Sequence, residues 1–231
     1  MSIGIDPGIT LVVHSSLSSI GWVVGGAPTV VSALLDVIGE NGTLAMPAAT
    51  PQCADPASWT EAQGEFDLQT TPTSMGAIPE TFRTWPGTIR SEHPLESVCA
   101  RGPAASEITR EHPLAFSEGP GTPFGKLHDL DSRILLLGVG FNRCTALHFA
   151  ESLVARRRLT KVRFPMSESG RRVWVEAPNV ADDNDTHFPI VGERFVATGK
   201  ARLGTIGEAD SVLLSMRDLV DFSKAYFEQV L

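Results

Sequence analysis

The first part of the chain alternates apolar runs with glycine- and serine-rich loops. Residues 10–14 (TLVVH) form a short apolar run that predicts a buried strand, and residues 28–38 predict a helix that begins at a proline and ends at Gly39. Residues 43–46 (TLAM) predict a second strand. A strand, a helix and a second strand form the building unit of an α/β fold, so we expect a ligand at the loop before the helix.

The middle and the end of the chain repeat this alternation. Residues 133–139 (RILLLGV) predict a central strand buried on both faces, and residues 145–155 (TALHFAESLVA) predict the helix that follows it. Residues 161–163 and 172–176 predict a hairpin. The chain ends in an amphipathic helix over residues 215–229.

The remaining segments are irregular or form short helices. Residues 47–73 have little periodicity, and the proline and glycine content of residues 112–125 (HPLAFSEGPGTPFG) predicts no regular structure there. Short helices are predicted over residues 77–85, 104–110 and 189–197. The fold class that follows is α/β, a mixed sheet with flanking helices and long loops.

Composition narrows the class of protein. With 231 residues, 42% of them hydrophobic and 20% charged, the chain fits one globular domain over residues 1–231. It begins with no signal-peptide pattern and has no apolar run near the roughly 20 residues that cross a bilayer, so we expect a cytoplasmic protein without a membrane partner. A net charge of -8 argues against nucleic acid as a partner. Three cysteines without CxxC spacing predict neither disulfides nor a metal site.

The most informative pair of polar residues is His148 with Glu151. Residues three apart on a helix share a face, and a carboxylate bonded to one imidazole nitrogen raises the basicity of the other. The pair therefore predicts a general base close to the central strand. The alternative from spacing alone is a surface histidine with a chance acidic neighbour.

A second candidate is the loop over residues 14–26 (HSSLSSIGWVVGG), which leads into the first helix. Its glycines allow backbone N–H groups to approach a phosphate or an amide, and the helix start near Thr29 adds positive dipole. The spacing matches neither a P-loop nor GxGxxG, and a plain connection is the alternative. His14, at the end of the first predicted strand, is a candidate for the same pocket as His148.

Other polar residues have both a functional and a structural interpretation. Glu65 and Asp67, together with the acidic residues 182, 183 and 185, would suit a ligand with several ammonium groups, or they form solvated turns. Cys144 precedes the His148 helix, where a nucleophilic thiol is conceivable, but a small buried packing residue is the alternative.

Five strings, in this order, resemble the aminoglycoside 3-N-acetyltransferase family, which is distinct from the GNAT acetyltransferases. They are VHSSLSSIGWVVGG (13–26), TPTSMGAIPETFRTWPGTIRSEHPLESVCARG (71–102), HPLAFSEGPGTPFGKL (112–127), ILLLGVGFNRCTALHFAE (134–151) and MRDLVDF (216–222). The resemblance covers nearly the whole chain and implies the antibiotic N-acetyltransferase fold. The region over residues 167–198 looks shorter than in typical members, and Cys144 stands where relatives tend to carry a polar residue.

The resemblance also implies a reaction and roles for residues. Acetyl-CoA, as co-substrate and without a metal, would acetylate the 3-amino group of a 2-deoxystreptamine aminoglycoside and so confer antibiotic resistance. His148 would be the general base and Glu151 its orienting partner, and a hydroxyl of Ser15 or Thr145, or a backbone N–H, would stabilise the oxyanion. The contacts that it implies to acetyl-CoA are Ser15, Ser16, Gly26 and Thr29, and those to the cationic sugar are Asp67, Asp183 and Asp185.

Three further expectations accompany the resemblance. An irregular acceptor-binding lobe is expected from about residues 50–75 and 165–200. Association as a homodimer is left open. The alternative functions are N-acetylation of another amine and CoA binding without catalysis.

Overall fold

The computed structural model of the protein describes residues 3–53, 65–168, 171–181 and 186–231. The strands in these ranges are β1 Thr10–Ser15, β2 Thr43–Pro47, β3 Ile89–Arg90, β4 Val98–Arg101, β5 Arg133–Leu137, β6 Leu159–Glu168, β7 Arg171–Val180, β8 Arg202–Ile206 and β9 Ala209–Ser215. The α-helices are α1 Ala27–Ile38, α2 Ala77–Arg83, α3 Ala105–Thr109, α4 Pro123–Asp129, α5 Ala146–Ser152, α6 Phe188–Ala197 and α7 Met216–Val230. Short 3₁₀ helices span Leu17–Ile20, Pro51–Cys53 and Phe141–Arg143.

Seven strands form one mixed sheet in the order β3-β4-β2-β1-β5-β9-β8. β1 lies in the middle and pairs in parallel with both β2 and β5, whereas β4 and β9 pair antiparallel with the outer sides of β2 and β5. The apolar runs of β1 and β5 are buried because neighbouring strands and both helical layers cover them. The predicted α/β class with a mixed sheet is confirmed.

Helices cover both faces of the sheet, and the alternation of side chains along β1 decides which residue meets which layer. Leu11 and Val13 pack with α1 and α2 on one face, and Val12 packs with α3 to α7 on the other. Each of these side chains is fully buried. Full burial of such a side chain stabilises the fold by about 1.5–3 kcal/mol. These contacts therefore fix which face of the sheet each of the three side chains occupies.

The boundaries of α1 and α7 follow from capping. α1 has a proline in its first turn and ends at Gly39, which has a φ of 68° and donates its backbone N–H to the carbonyl of Leu35. At the start of α7 the hydroxyl of Ser215 accepts a hydrogen bond from the backbone N–H of Asp218 at 3.2 Å. Both signals are present in the sequence, and both predictions are confirmed.

Strands β6 and β7 form a separate antiparallel hairpin. The hairpin was predicted, but it extends over ten residues in each strand and is longer than the predicted runs. Phe164 of β6 and Ala177 of β7 pack against Cys53, the last residue of a 3₁₀ helix, and against Leu95, in the loop between β3 and β4. The hairpin is therefore attached to the domain by its own small apolar cluster.

Some of the predicted boundaries were wrong. The segment over residues 112–125, for which no regular structure was predicted, contains the start of α4, because Thr122 caps the helix through Gly125 and Pro123 occupies its first turn. Helix α5 ends at Ser152, three residues before the predicted end. Strands β3, β4, β8 and β9 were not predicted. The organisation as one domain with an irregular acceptor lobe stays a prediction.

Within the described ranges, no helix combines the length and the apolar character that crossing a membrane requires.

Candidate active site

The site lies at one edge of the sheet, where the parallel strands β1, β2 and β5 end. Because parallel strands end at the same edge, the loops after them meet there. They enclose a cavity of about 660 Å³, here called the large cavity. Its lining includes Ser15, Ser16, Met75, Gly138, Asn142 and Thr145.

A second cavity of about 220 Å³, here called the small cavity, adjoins the first. His148 and Phe188 line it together with two carboxylates, Glu96 and Glu118. The two cavities have a common wall, which we call the shared wall; its residues are Pro47, Met75, Asn142, Arg143 and Thr145. Two ligands bound in the two cavities would meet at the shared wall.

His148 and Glu151 lie on one face of α5, as the spacing predicts. The Nδ1 atom of His148 is 3.1 Å from the Oε2 atom of Glu151, whose side chain is 1% exposed. A carboxylate beside Nδ1 favours the tautomer with the proton on Nδ1, which makes Nε2 the basic nitrogen. The ring of Phe188 meets the imidazole edge to face at a centroid distance of 4.8 Å. The imidazole is therefore held on two sides in the wall of the small cavity.

The four residues predicted to contact acetyl-CoA lie in two places. Ser15 and Ser16 line the large cavity, and the buried Oγ atom of Ser15 has no hydrogen-bond partner among the described residues. Gly26 and Thr29 lie at the start of α1, outside the lining of the large cavity. The hydroxyl of Thr29 donates to the carbonyl of Val24 at 2.7 Å, which closes the end of the loop.

A glycine at the end of β5 holds this loop close to the sheet. Gly138 has a φ of 68°, which favours glycine, and its carbonyl accepts a hydrogen bond from the hydroxyl of Ser19 at 3.0 Å. A Cβ atom at this position would lie 2.5 Å from the Cβ atom of Ser19. Gly138 therefore permits the close approach that shapes the floor of the large cavity.

Another glycine fixes the position of the 3₁₀ helix Phe141–Arg143. A Cβ atom on Gly192 of α6 would lie 2.0 Å from the ring of Phe141. Asn142 and Arg143 follow Phe141 and belong to the shared wall. The close packing of the Phe141 ring on the backbone of Gly192 therefore sets where these two side chains lie.

His14 is buried at the end of β1, with only 6% of its surface exposed, and it lines the large cavity. Its Nε2 atom has no hydrogen-bond partner among the described residues. Burial lowers the pKa of His14 to about 4, so the imidazole is neutral at pH 7. His14 was a candidate for the same pocket as His148, but it lines only the large cavity, whereas His148 lines only the small one.

The predicted acidic contacts lie elsewhere or outside the described ranges. Asp67 is exposed, does not line either cavity, and accepts hydrogen bonds from the hydroxyl and the backbone N–H of Thr70 and from the backbone N–H of Gln69. The bond from the Thr70 hydroxyl is the main reason why the pKa of Asp67 is lowered. Asp183 and Asp185 lie outside the described residues, as does residue 182.

The two carboxylates of the small cavity, Glu96 and Glu118, were not predicted from the sequence. Glu118 is 8% exposed, and its Oε2 atom accepts a hydrogen bond from the hydroxyl of Ser117 at 2.6 Å. Asn179 of β7 donates to the same hydroxyl at 3.0 Å, so the hairpin helps to hold Glu118 in place. Glu96 and Glu118 belong to separate loops without periodicity, and no sequence signal joins them to His148.

Cys144 is buried beneath the start of α5. Burial raises the pKa of its thiol to about 12, so the sulfur is protonated at neutral pH. The packing interpretation of this cysteine fits the structure, and the nucleophile interpretation does not. Among the described residues, no group of three or more histidine, cysteine and carboxylate side chains is arranged to hold a metal ion.

Comparison with known proteins identifies the family and supports the fold. Residues 12–228 match the family model described as aminoglycoside 3-N-acetyltransferase. A SPbeta prophage-derived aminoglycoside N(3')-acetyltransferase-like protein, YokD of Bacillus subtilis (strain 168), is 36% identical over 241 residues, which cover 98% of this chain and 88% of the relative. Aminoglycoside N(3)-acetyltransferase VII of Streptomyces paromomycinus is 33% identical, with 100% of this chain and 89% of the relative covered.

Solved structures lead to the same family. The crystal structure of the YokD protein superposes with a TM-score of 0.93 at 36% identity, covering 99% of this chain and 90% of that one. The structure of AAC-IIIb in a binary complex with CoASH superposes with a TM-score of 0.88 at 30% identity, covering 100% and 93%. The expected antibiotic N-acetyltransferase fold is confirmed. The chain belongs to the aminoglycoside 3-N-acetyltransferase family.

Proposed function

We propose that this protein transfers the acetyl group of acetyl-CoA to the 3-amino group of a 2-deoxystreptamine aminoglycoside. The observation that carries the proposal is the His148–Glu151 pair in the wall of a small acidic cavity that adjoins a larger cavity. In this proposal His148 is the general base. The activity named for the relatives and the CoASH complex of AAC-IIIb support the choice of substrates.

The large cavity is assigned to the acetyl-CoA arm. Its volume of about 660 Å³ is within the range of small-molecule sites. The buried Oγ atom of Ser15 and the Nε2 atom of His14 have no hydrogen-bond partner among the described residues, and such atoms fit the amides and the thioester of a pantetheine chain. Ser16 borders the same space. Gly26 and Thr29, farther along the loop, are assigned to the phosphate end of the molecule.

The small cavity is assigned to the acceptor. Glu96 and Glu118 place two carboxylates beside His148, and a polycationic sugar is attracted to such a surface. The net charge of -8 favours the encounter with a cation. Asp67, Asp183 and Asp185 remain proposed contacts to more distant amino groups.

The proposed reaction begins with deprotonation of the acceptor amine. An aminoglycoside amine is mostly protonated at neutral pH, so the ammonium group first releases one proton to the solvent, and the neutral amine must then lose a second proton as it attacks. The Nε2 atom of His148 takes that proton, while Glu151 stabilises the imidazolium that forms. A positioned base of this kind contributes about 10²–10⁴-fold to the rate.

The amine nitrogen then attacks the thioester carbon at the shared wall. A C–N bond forms, the C–S bond breaks, and the electron pair of that bond stays on the sulfur. His148 returns the proton to the thiolate directly or through water, so the products are the N-acetylated sugar and CoA. Thr145 borders both cavities, and its hydroxyl, the hydroxyl of Ser15 or a backbone N–H is proposed to stabilise the oxyanion.

Acetylation deletes one positive charge from the acceptor. An antibiotic that binds the phosphates of ribosomal RNA through its ammonium groups would then bind less tightly. The protein would therefore confer resistance on the cell that makes it.

The test compares the wild-type protein with His148→Ala. We expect thiol release from acetyl-CoA with at least one 2-deoxystreptamine aminoglycoside, and a loss of about 10²–10⁴-fold in kcat for the variant with acetyl-CoA binding retained. Growth of a susceptible bacterium that expresses the chain is measured over the same compounds. Turnover with other amines alone would redirect the proposal to a different acceptor. Binding of acetyl-CoA without turnover of any amine would reject catalysis.

A further inference from the structure

The second-last residue of β1 is His14, a buried histidine with an unsatisfied nitrogen. His14 is mostly buried, lines the large cavity, and its Nε2 atom has no hydrogen-bond partner among the described residues. Buried polar atoms in folded proteins are almost always hydrogen-bonded, so an exception in a cavity wall indicates a group that a ligand satisfies.

The position of His14 indicates which part of the ligand it meets. Side chains alternate along β1, so His14 shares a face with Val12, which packs in the same cluster as Ala146 and Leu147 of α5. His14 therefore lies on the α5 side of the sheet, as Thr145 at the start of α5 does. Pairing of His14 with Leu136 of β5 fixes the strand at this point.

The two cavities distinguish the donor side from the acceptor side. Thr145 lines both cavities, whereas His14 lines only the large one. Under the proposed function, the shared wall is where the acetyl carbon meets the amine. A group that lies on the same side of the sheet, but only in the large cavity, is placed toward the sulfur and not toward the amine.

We propose that His14 is a catalytic residue whose imidazole N–H donates a hydrogen bond to the sulfur of acetyl-CoA as the thiolate leaves. This inference rests on the proposed function. When the C–N bond forms and the C–S bond breaks, the electron pair stays on the sulfur. His14 stabilises that charge without giving up its proton, and the proton that neutralises the thiolate is the one that His148 removed from the amine.

Stabilisation of a leaving thiolate suits a neutral hydrogen-bond donor that is buried. Because burial lowers the pKa of His14 to about 4, the ring carries one N–H and no charge at neutral pH. A thioester sulfur is a weak acceptor and a thiolate is a strong one, so the bond strengthens as the reaction proceeds. Interactions that are stronger in the transition state than in the ground state raise kcat.

The decisive measurement is the pKa of the CoA thiol in the complex, because it needs no acceptor. Thiolate absorbance is followed in a pH titration of CoA bound to the wild-type protein, to His14→Phe and to His14→Gln. We expect the wild-type protein to lower the thiol pKa, by on the order of one pH unit, since a hydrogen bond to the charged form favours that form. In His14→Phe the thiol pKa should return to the value of free CoA, and His14→Gln, which keeps an N–H donor, should recover part of the shift.

A matched control is His128→Phe. The Nε2 atom of His128 is also buried without a partner among the described residues, but His128 does not line either cavity. We expect that variant to retain the lowered thiol pKa and the turnover of the wild-type protein. His148→Ala should retain the lowered thiol pKa and lose turnover. For His14→Phe we expect kcat to fall by about 10²–10³-fold, as removal of one charge-stabilising donor does.

Different results would overturn the role of His14 and the proposed function on which it rests. If no aminoglycoside is acetylated but His14 still controls the thiol pKa, the acceptor is wrong and the role of His14 stands. If His14→Phe binds CoA and leaves both kcat and the thiol pKa unchanged, the proposal is overturned. If His14→Phe does not fold, His14→Leu, which also lacks an N–H donor, decides: loss of the lowered thiol pKa together with a lower kcat supports the role, and unchanged values overturn it.

Discussion

The Oε2 atom of Glu151 lies 3.1 Å from the Nδ1 atom of His148, one turn earlier on the same helix. Glu151 is almost fully buried, whereas His148 retains some exposure in the cavity wall. The carboxylate is thus behind the imidazole and the cavity in front of it. Such an order orients a base toward a ligand and stabilises the base when it becomes charged.

The first prediction concerns this carboxylate. Glu151→Gln keeps an oxygen that can accept from Nδ1–H but removes the negative charge that stabilises the imidazolium. We expect kcat to fall by about 10–100-fold with little change in the KM for acetyl-CoA. Steady-state kinetics over a range of pH will check this, with Glu228→Gln on the exposed side of α7 as the control. Equal activity of the two variants would contradict the assignment.

The second prediction concerns Glu118. Because its buried carboxylate faces the small cavity, Glu118→Gln should raise the KM for a polycationic acceptor by about tenfold, the equivalent of about 1.4 kcal/mol. The KM for acetyl-CoA should not change. Glu107→Gln, at an exposed position on α3, is the matched control. An effect on acetyl-CoA with none on the acceptor would reverse the assignment of the two cavities.

The third prediction concerns Cys144. Because burial raises the pKa of its thiol, Cys144 lacks the thiolate that an acetyl carrier needs, and we expect transfer to proceed directly from acetyl-CoA to the amine. Intact mass measurement after incubation with acetyl-CoA alone should detect no added acetyl group. Cys144→Ala should retain turnover, with stability reduced by the loss of packing. A stable acetyl-enzyme that this substitution abolishes would contradict direct transfer.

The fourth prediction concerns the contact of Gly192 with Phe141. Gly192→Ala should push the 3₁₀ helix Phe141–Arg143 away from α6 and reduce the free energy of unfolding by about 1–3 kcal/mol. Because Asn142 and Arg143 border both cavities, the KM values for both substrates should rise. Gly204→Ala, where the nearest heavy atom is 3.6 Å from the new Cβ atom, is the control. Denaturant unfolding and kinetics check the two effects separately.

The fifth prediction is a loss of stability in mild acid. Burial lowers the pKa of His14 and of His93 to about 4 and that of His112, which stacks on His93, to about 3, from an ordinary value of 6.5. Below pH 6.5 the unfolded chain therefore binds protons that the folded protein excludes. Each histidine lowers the free energy of unfolding by up to about 1.4 kcal/mol per pH unit until its folded pKa is reached.

Urea unfolding at several pH values between 7.5 and 4.5 will measure this effect. We expect the free energy of unfolding to be flat above pH 7 and to fall as the pH drops below 6.5. His112→Asn should make the dependence shallower. A free energy of unfolding that stays constant, or rises, as the solution is acidified would contradict the burial of neutral imidazoles.

Local patterns predicted the parts of the fold that depend on local physics. The apolar runs at 10–14 and 133–139 and the spacing of His148 and Glu151 need only neighbours along the chain, and the structure agrees with them. Helix α4 was missed because the prolines and glycines around it outweighed the capping signal of Thr122. Strands β8 and β9 form a hairpin with each other, but their mixed polar and apolar patterns have no clear alternation, and β9 also pairs with the distant strand β5.

The site was harder to predict than the fold. The loop of Ser15 and Ser16 was singled out by its place between a predicted strand and a predicted helix, and the resemblance to the family implied these two serines, which line the large cavity. Glu96 and Glu118 lie about fifty and thirty residues before His148 in loops without periodicity, and only the folded domain brings them to the same cavity. Spacing along the chain contains no information of that kind.

The shared wall has a consequence for how new acceptors could arise. Thr145 and Asn142 line both cavities, so under the proposed function a substitution at either position would alter the space of donor and acceptor together and should be selected against whichever antibiotic is present. Glu96 and Glu118 border the small cavity alone, and they can vary without harm to the donor. Natural variants that accept different drugs should therefore differ mainly at these two positions and retain the residues of the shared wall.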